Sequence, residues 1–383
     1  MSNRTIWINT GEVSGDMHGA RLLEALRRRE PEASFVGMGG PELHAAGLET
    51  LFRVEALSVM GITEVAGHLP KIFRMLKDIK AALAGVRPDA VIVVDAPDFH
   101  FRVITAAREL NIPVYYYISP KIWAWREKRA DFIKANVRRL ISILPFEENF
   151  YRRFGMAIDY VGNPLLDMVN YPSLKDIPVE PGLIGFLPGS RGKEIQSLLP
   201  QFGGAARILR QRLPHLRFVC MRAPGLAESR LRALWPEDVP VSFVEPDNRW
   251  EFMRRCEMLI AASGTVTLES AIVGTPTLIT YKVSPLSYLV GKLLIKVPYI
   301  GLPNLILGRE VFPELLQKRC DSVPLADAAL RWLLPHPGDR PLAGIREELD
   351  EVRRRLGPPG AADRAAGIIL DDLAGRAQPT PAY

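Results

Sequence analysis

Runs of apolar, largely β-branched residues alternate with longer stretches of helical period through the first part of the chain. Thr5–Asn9, Ser34–Met38, Ala90–Val94, Val114–Ile118 and Leu140–Leu144 read as buried strands. Such alternation predicts βαβ units and a parallel sheet, because parallel strands need a crossover and helices cover both faces. Between Gly162 and Pro181 the sequence turns rich in Pro and polar residues, which is where a linker belongs. A second series follows, with strands expected at Leu183–Leu187, Leu216–Val219, Val241–Val244, Met258–Ala261 and Thr277–Ile279, and helices over Lys193–Arg212 and Thr265–Val273. The pattern predicts an α/β protein of two doubly wound, Rossmann-like lobes, residues 1–165 and 166–340, with a cleft between them. No strand pattern follows in the Arg-rich stretch Pro341–Ala374. Residues 341–383 are therefore expected to form a helical tail that packs back on the first lobe or on a second subunit.

With 383 residues, 48% hydrophobic and 24% charged, the chain can bury two cores and is neither disordered nor fibrous in character. Lys and Arg outnumber Asp and Glu by 49 to 43, a net charge of +6. That excess favours phosphates, nucleotides or an anionic membrane surface, although a solvated Arg-rich surface explains any single cluster equally. Cys220, Cys256 and Cys320 are scattered, with no C-x-x-C and no His at ligand spacing, which speaks against a disulfide framework and a zinc site. The N-terminus runs straight into a strand-like segment without an apolar export signal, so a cytosolic protein is expected. The longest apolar stretch, Leu286–Leu307, is interrupted by Lys292, Lys296, Pro298 and Pro303. It falls short of the ~20 apolar residues that a spanning helix needs.

In open parallel sheets, ligands sit beyond the carboxyl ends of the strands, and every motif with chemistry lies on such a loop. Thr10–Ala20 (TGEVSGDMHGA) follows the first strand and is expected to open a helix near Arg21. Gly11, Gly15 and Gly19 allow a tight turn, and Ser14 and Asp16 can cap the helix. Glu12 and Asp16 would repel a pyrophosphate, so this loop, with Gly11, Glu12, Ser14 and Asp16, reads as the acceptor side; a plain glycine-rich cap is the alternative. Asp95 and Asp98 follow an apolar strand, with Pro97 between them. Asp98 reads as the base for an attacking hydroxyl and Asp95 as the member that bonds the turn, unless both are caps.

Leu187–Ile195 (LPGSRGKEI) offers Gly189 and Ser190 at a helix N-terminus to a diphosphate, with Arg191 suited to neutralise charge on a leaving group. In AASGTVTLESA, Ser263, Gly264 and Thr265 present hydroxyl and backbone donors, and Glu269 a turn later suits two ribose hydroxyls; a solvated Glu269 competes. Asn304 is out of place in so apolar a run unless its amide is used, by chemistry or by the local backbone. No D-x-D stands on a strand-end loop, so no metal is expected, and helix ends with Arg191 must hold the diphosphate. The absence of G-x-G-x-x-G after any strand argues against a dinucleotide, and no cofactor and no nucleic-acid partner are expected. Val65, Leu69, Ile72, Phe73, Leu76, Ile79 and Leu83 share one helical face, flanked by Lys71, Arg74 and Lys77, a stripe that is either core or membrane contact.

GEVSGDMHGA, DAPDF, SPKIWAWREKR (Ser119–Arg129), LPGSRGKEI, SGTVTLE, LPN and LLQ, in that order over nearly the whole chain, together resemble the bacterial lipid-A-disaccharide synthase family. The resemblance implies a GT-B fold and an inverting, metal-independent hexosyl transfer. The donor would be UDP-2,3-diacylglucosamine and the acceptor 2,3-diacylglucosamine 1-phosphate, giving the β-1,6 lipid A disaccharide 1-phosphate and UDP. It also implies a cytoplasmic enzyme held peripherally on the inner face of the cytoplasmic membrane, and a homodimer with exchanged C-terminal parts. By matching position, Asp98 resembles the base for the acceptor 6-hydroxyl, and Arg191, Asn304 and Gln317 match positions associated with activity. Glu269 and Ser263–Thr265 are similar to the nucleotide site. Val13 stands where the family commonly has Ala. Other readings are a further UDP-sugar enzyme of the same architecture, either a peptidoglycan glucosaminyltransferase or a UDP-sugar 2-epimerase, and a non-catalytic, nucleotide-responsive protein of the membrane surface.

Overall fold

The computed structural model describes residues 4–55, 65–223, 225–245 and 247–375, with the backbone alone for Val13 and residues 65–69. Two compact units divide the chain, one of Met1–Pro164 with Pro358–Tyr383 and one of Leu165–Gly357. The first holds a parallel sheet of β1 (Thr5–Thr10), β2 (Ser34–Gly39), β3 (Glu49–Arg53), β4 (Ala90–Val94), β5 (Val114–Tyr117), β6 (Arg139–Ser142) and β7 (Asp159–Tyr160). Their spatial order is β3-β2-β1-β4-β5-β6-β7. The second holds β8 (Glu180–Leu187), β9 (Arg217–Met221), β10 (Ser242–Val244), β11 (Cys256–Ala262), β12 (Thr277–Tyr281) and β13 (Glu314–Leu316), in the order β10-β9-β8-β11-β12-β13. All pairings are parallel.

Both sheets are doubly wound, which explains why their central strands are apolar on both faces. Ile6, Trp7 and Ile8 of β1, and Tyr115, Tyr116 and Tyr117 of β5, are fully buried. Each such side chain contributes about 1.5–3 kcal/mol relative to exposure. In the second unit Phe186 packs against Trp235 and Phe202, with ring centroids 5.3 and 5.6 Å away. In both sheets the winding reverses beside the first strand, between β1 and β4 and between β8 and β11. That reversal opens a crevice at the carboxyl ends of those strands.

The stretch expected to be a linker forms two short helices, Leu165–Val169 and Tyr171–Leu174, whose Leu165, Leu166, Val169 and Leu174 are buried. The C-terminal stretch, expected to be one tail, is divided between the units. Helix Leu342–Arg355 belongs to the second unit, where Arg346 donates to the carbonyls of Gly274 and Glu257 (2.9 and 2.8 Å) and Arg355 to that of Ile306 (2.8 Å). Helix Ala361–Leu373 lies in the first unit, burying Ala365, Ala366 and Ile369 in the same cluster as Leu22 and Leu26. Arg364 donates to the Val161 carbonyl, and the Tyr115 hydroxyl to Asp372. Residues 376–383 of the expected tail lie outside the described residues.

Candidate functional site

In the first unit the helix after β1 begins at Val13, not near Arg21, so the glycine-rich motif forms its first turns. The glycines serve close packing: a Cβ at Gly11 would collide with that of Ala96, and one at Gly19 would crowd Leu43 and Thr10. Asp16 is buried, and its carboxylate accepts from the backbone N–H groups of Gly40 (2.6 Å), Glu42 (2.9 Å) and Leu43 (3.3 Å). It therefore caps the short helix Pro41–Ala45 and is not among the residues that line the nearby cavity. Neither Ser14 nor Asp16 caps its own helix, whose N-cap is Glu12 with no side-chain bond. Ser14 and Glu12 are exposed.

Gly11 and Glu12 meet the loop after β4 around a cavity of about 320 Å³, walled also by Ile72, Leu76, Asp98 and Phe99. The stripe expected on one face of helix Val65–Val86 thus has two fates. Ile79 and Leu83 are core, Ile72 and Leu76 line the cavity, and Phe73 is exposed beneath the Arg102 guanidinium, 4.7 Å from its ring centroid. The side chains of Val65 and Leu69 lie outside the described residues.

The turn after β4 is an unusual piece of backbone. Asp95 (φ 55°) and Ala96 (φ 42°) are consecutive left-handed residues, a conformation that costs non-glycine residues on the order of 1–3 kcal/mol each. It persists because the Asp95 carbonyl accepts from the Tyr116 hydroxyl (2.8 Å) and from Nδ1 of His100 (2.7 Å). The carbonyl requires the His100 proton on Nδ1, which leaves Nε2 to accept from Nδ2 of Asn9 (3.1 Å). Asn9 in turn accepts from the Trp7 indole (3.2 Å). Burial pushes the His100 pKa down to about 4 against the opposing pull of the Asp95 carbonyl, so the ring is neutral at physiological pH.

The two carboxylates of this loop differ. Burial raises the Asp95 pKa, opposed by the Lys121 charge and the Ala96 N–H. Asp98 is exposed and ion-paired to both Arg126 (2.6 Å) and Arg129. Desolvation pushes its pKa up, but the hydrogen bonds and charges of Arg129 and Arg126 prevail and hold it below the ordinary carboxylate value. Both arginines come from the SPKIWAWREKR stretch after β5. Arg126 stacks on Trp125 (3.7 Å to the centroid), and Trp123 anchors the stretch by donating to the buried Glu147 (2.9 Å).

In the second unit the two expected phosphate loops come together around a cavity of about 410 Å³. Gly189, Ser190 and Arg191 precede helix Gly192–Arg212, and Ser263 and Gly264 precede helix Thr265–Val273. Neither helix start carries a side-chain cap, so backbone N–H donors are left for a ligand. Gly189 has φ 92°, which its place in the turn requires. Glu269 lines the same cavity and is buried rather than solvated. It is ion-paired with Arg249 (2.9 Å) and accepts from the Trp250 indole (3.0 Å). Burial raises its pKa, offset by the Arg249 charge and those hydrogen bonds.

The charged cavity residues that lie outside every motif read from the sequence are Arg222, Glu245 and Arg249. Arg222 and Glu245, 3.4 Å apart, follow the carboxyl ends of β9 and β10, where the strand-end rule would have found them.

Two site residues expected in the second unit, Asn304 and Gln317, do not line its cavity. Asn304 is fully buried and its amide is committed. Nδ2 donates to the Phe312 carbonyl and Glu314 (both 2.8 Å), and Oδ1 accepts from the N–H groups of Val311 (2.8 Å) and Phe312 (2.9 Å). Of its two readings, use by the local backbone is the one that these four bonds support. Gln317, at φ 53°, clamps Val283 by accepting from its N–H (2.8 Å) and donating to its carbonyl (2.9 Å).

Residues 6–337 match the model of the family described as Lipid-A-disaccharide synthetase. The lipid-A-disaccharide synthase of Myxococcus xanthus is 39% identical over 380 residues, covering 96% of this chain and 97% of that protein. That of Syntrophus aciditrophicus is 39% identical over 383 residues, covering 97% and 98%. Among solved structures, a UDP-GlcNAc 2-epimerase from Neisseria meningitidis, bound to UDP-GlcNAc, aligns with a TM-score of 0.61 at 12% identity over 97% of this chain and all of that one. The calicheamicin glycosyltransferase CalG4 aligns with a TM-score of 0.63 at 15% identity, covering 98% and 99%. At such identities these structures speak to the fold, two Rossmann-like units of GT-B type.

Proposed function

The chain belongs to the lipid-A-disaccharide synthetase family, and from that premise we propose how its residues divide the reaction. It is a hexosyltransferase that moves 2,3-diacylglucosamine from UDP-2,3-diacylglucosamine to 2,3-diacylglucosamine 1-phosphate with inversion, releasing UDP. The observation that carries the division of labour is the second unit's cavity, where two uncapped helix starts converge with Arg191, Arg222 and Arg249. Dipole ends, free N–H groups and guanidinium forks are the chemistry that holds a diphosphate. Arg191 meets the charge that grows on departing UDP, Ser190 and Ser263–Thr265 bond the phosphates, and Glu269 accepts from the ribose hydroxyls.

The acceptor takes the first unit's cavity. Ile72 and Leu76 give an acyl chain an apolar wall, while Gly11 and Glu12, which line the same cavity, border the sugar, with Ser14 exposed at the start of the helix that follows. Asp98 is the base for the 6-hydroxyl. Its arginine pairing keeps it ionised, as a base must be, at the expense of proton affinity. Asn304 and Gln317 act at one remove, by fixing the backbone near β13 and at Val283.

Substrates with acyl chains reside in a lipid surface, and on this reading the chain works on the inner face of the cytoplasmic membrane as a homodimer. No described helix is long and apolar enough to cross a membrane. The direct test is mass spectrometry of the products from the acylated donor and acceptor. The acylated disaccharide 1-phosphate is expected; turnover of UDP-N-acetylglucosamine to its 2-epimer without any disaccharide would overturn the reading.

A further inference from the structure

We propose that helix Pro285–Leu294, with Ile295 and Lys296 after it, is an anionic-bilayer docking face of the second unit. This rests on the membrane-surface reading above and names a part of the surface that carries it. The helix has ten residues and none of them is buried. Leu286, Leu289, Val290 and Leu293, at i, i+3, i+4 and i+7, form one stripe, with exposures of 72%, 57%, 46% and 78%. Helices this short are marginal in water by themselves and are normally held by packing of an apolar face. Among the described residues that face has no cover, although the helix start is properly built: Ser284 caps it by accepting from the Ser287 N–H, and Gln317 clamps Val283 just before it.

Charge selects the occupant. Between Glu269 and Glu310 the sequence has no acidic residue, and the cations in that interval are Lys282, Lys292, Lys296 and Arg309. Lys282 is paired with Asp321, and Arg309 with Glu348 and Glu351. Lys292 is exposed on the helix itself. A leucine stripe beside lysines, with no carboxylate in the segment, suits the headgroup and acyl boundary of an anionic leaflet better than a protein partner, whose binding would gain from mixed charges.

The test is flotation of the full chain with vesicles of phosphatidylglycerol and phosphatidylethanolamine, and with vesicles of phosphatidylcholine alone. The combined variant Leu286→Ser, Leu289→Ser, Leu293→Ser should lose about tenfold or more of its partitioning onto the anionic vesicles. Lys292→Gln with Lys296→Gln should lose up to roughly fivefold per lysine there and little on phosphatidylcholine. Both variants should keep wild-type transfer with detergent-dispersed substrates, because none of these residues lines either cavity; that retained transfer also reports that the fold is intact. Unchanged flotation of the leucine variant, with transfer retained, would overturn the docking face and leave the synthase reading standing. A drop in solution mass with unchanged flotation would assign the face to a second copy instead. No transfer by the wild-type chain would count against the synthase reading.

Discussion

The switch points of the two sheets share a topology and differ in charge. After β1 and β4 the loops present carboxylates, Glu12 and Asp98, the second just beyond the Asp95–Ala96 turn held by Tyr116 and His100. After β8 and β11 they present uncapped helix starts among Arg191, Arg222 and Arg249. The fold supplies a crevice in each case, and the side chains at strand ends decide whether it handles a proton or an anion. In-line displacement at an anomeric carbon needs both, a base toward the nucleophile and charge neutralisation toward the leaving group.

The comparison breaks most sharply at Arg191. Arg191→Ala is expected to lower kcat/KM by about 10²–10³, the usual cost of removing a group that meets developing charge; steady-state transfer rates check it, and near-normal turnover would remove the leaving-group role. Asp98→Asn is expected to lower kcat by roughly 10² or more. The acidic limb of the pH–rate profile adds a sign. A base must be deprotonated, so activity falls as pH drops through its pKa. With Asp98 acting, the limb lies below the ordinary carboxylate range, whereas a limb above that range would identify Asp95, whose proton affinity is raised. Glu269→Gln weakens acceptance from two hydroxyls and strands Arg249, so the donor KM should rise on the order of tenfold with a smaller change in kcat. The smallest effect on chemistry belongs to Asn304→Ala. It leaves buried N–H groups at Val311 and Phe312 without an acceptor, so thermal or denaturant unfolding should show a loss of about 3 kcal/mol while per-molecule activity of the folded fraction changes little.

Central strands such as Ala90–Val94 were legible because both of their faces are buried and the run is continuously apolar. Of the four edge strands, only β10 was, expected at Val241–Val244 and found at Ser242–Val244. β3 buries residues on neither face, and β7 and β13 have only two and three residues, too few for a period to show. Glycine misled at Gly11–Gly19, where a composition that reads as a turn instead lets a helix pack tightly against Ala96 and Leu43. The phosphate loops were readable as motifs, since Gly, Ser and Arg stand together between strand and helix. Arg249 was not, because it is one cation among 49 and only folding brings it beside Glu269. Asn304 was visible as an anomaly, and its four bonds show the local backbone using its amide.

The asymmetry between the units is tested most directly by UDP affinity, measured calorimetrically on the wild-type chain, Asp98→Asn and Arg191→Ala. The account predicts an unchanged Kd for Asp98→Asn and a Kd raised by about tenfold or more for Arg191→Ala. Weakened UDP binding in Asp98→Asn with none in Arg191→Ala would contradict it.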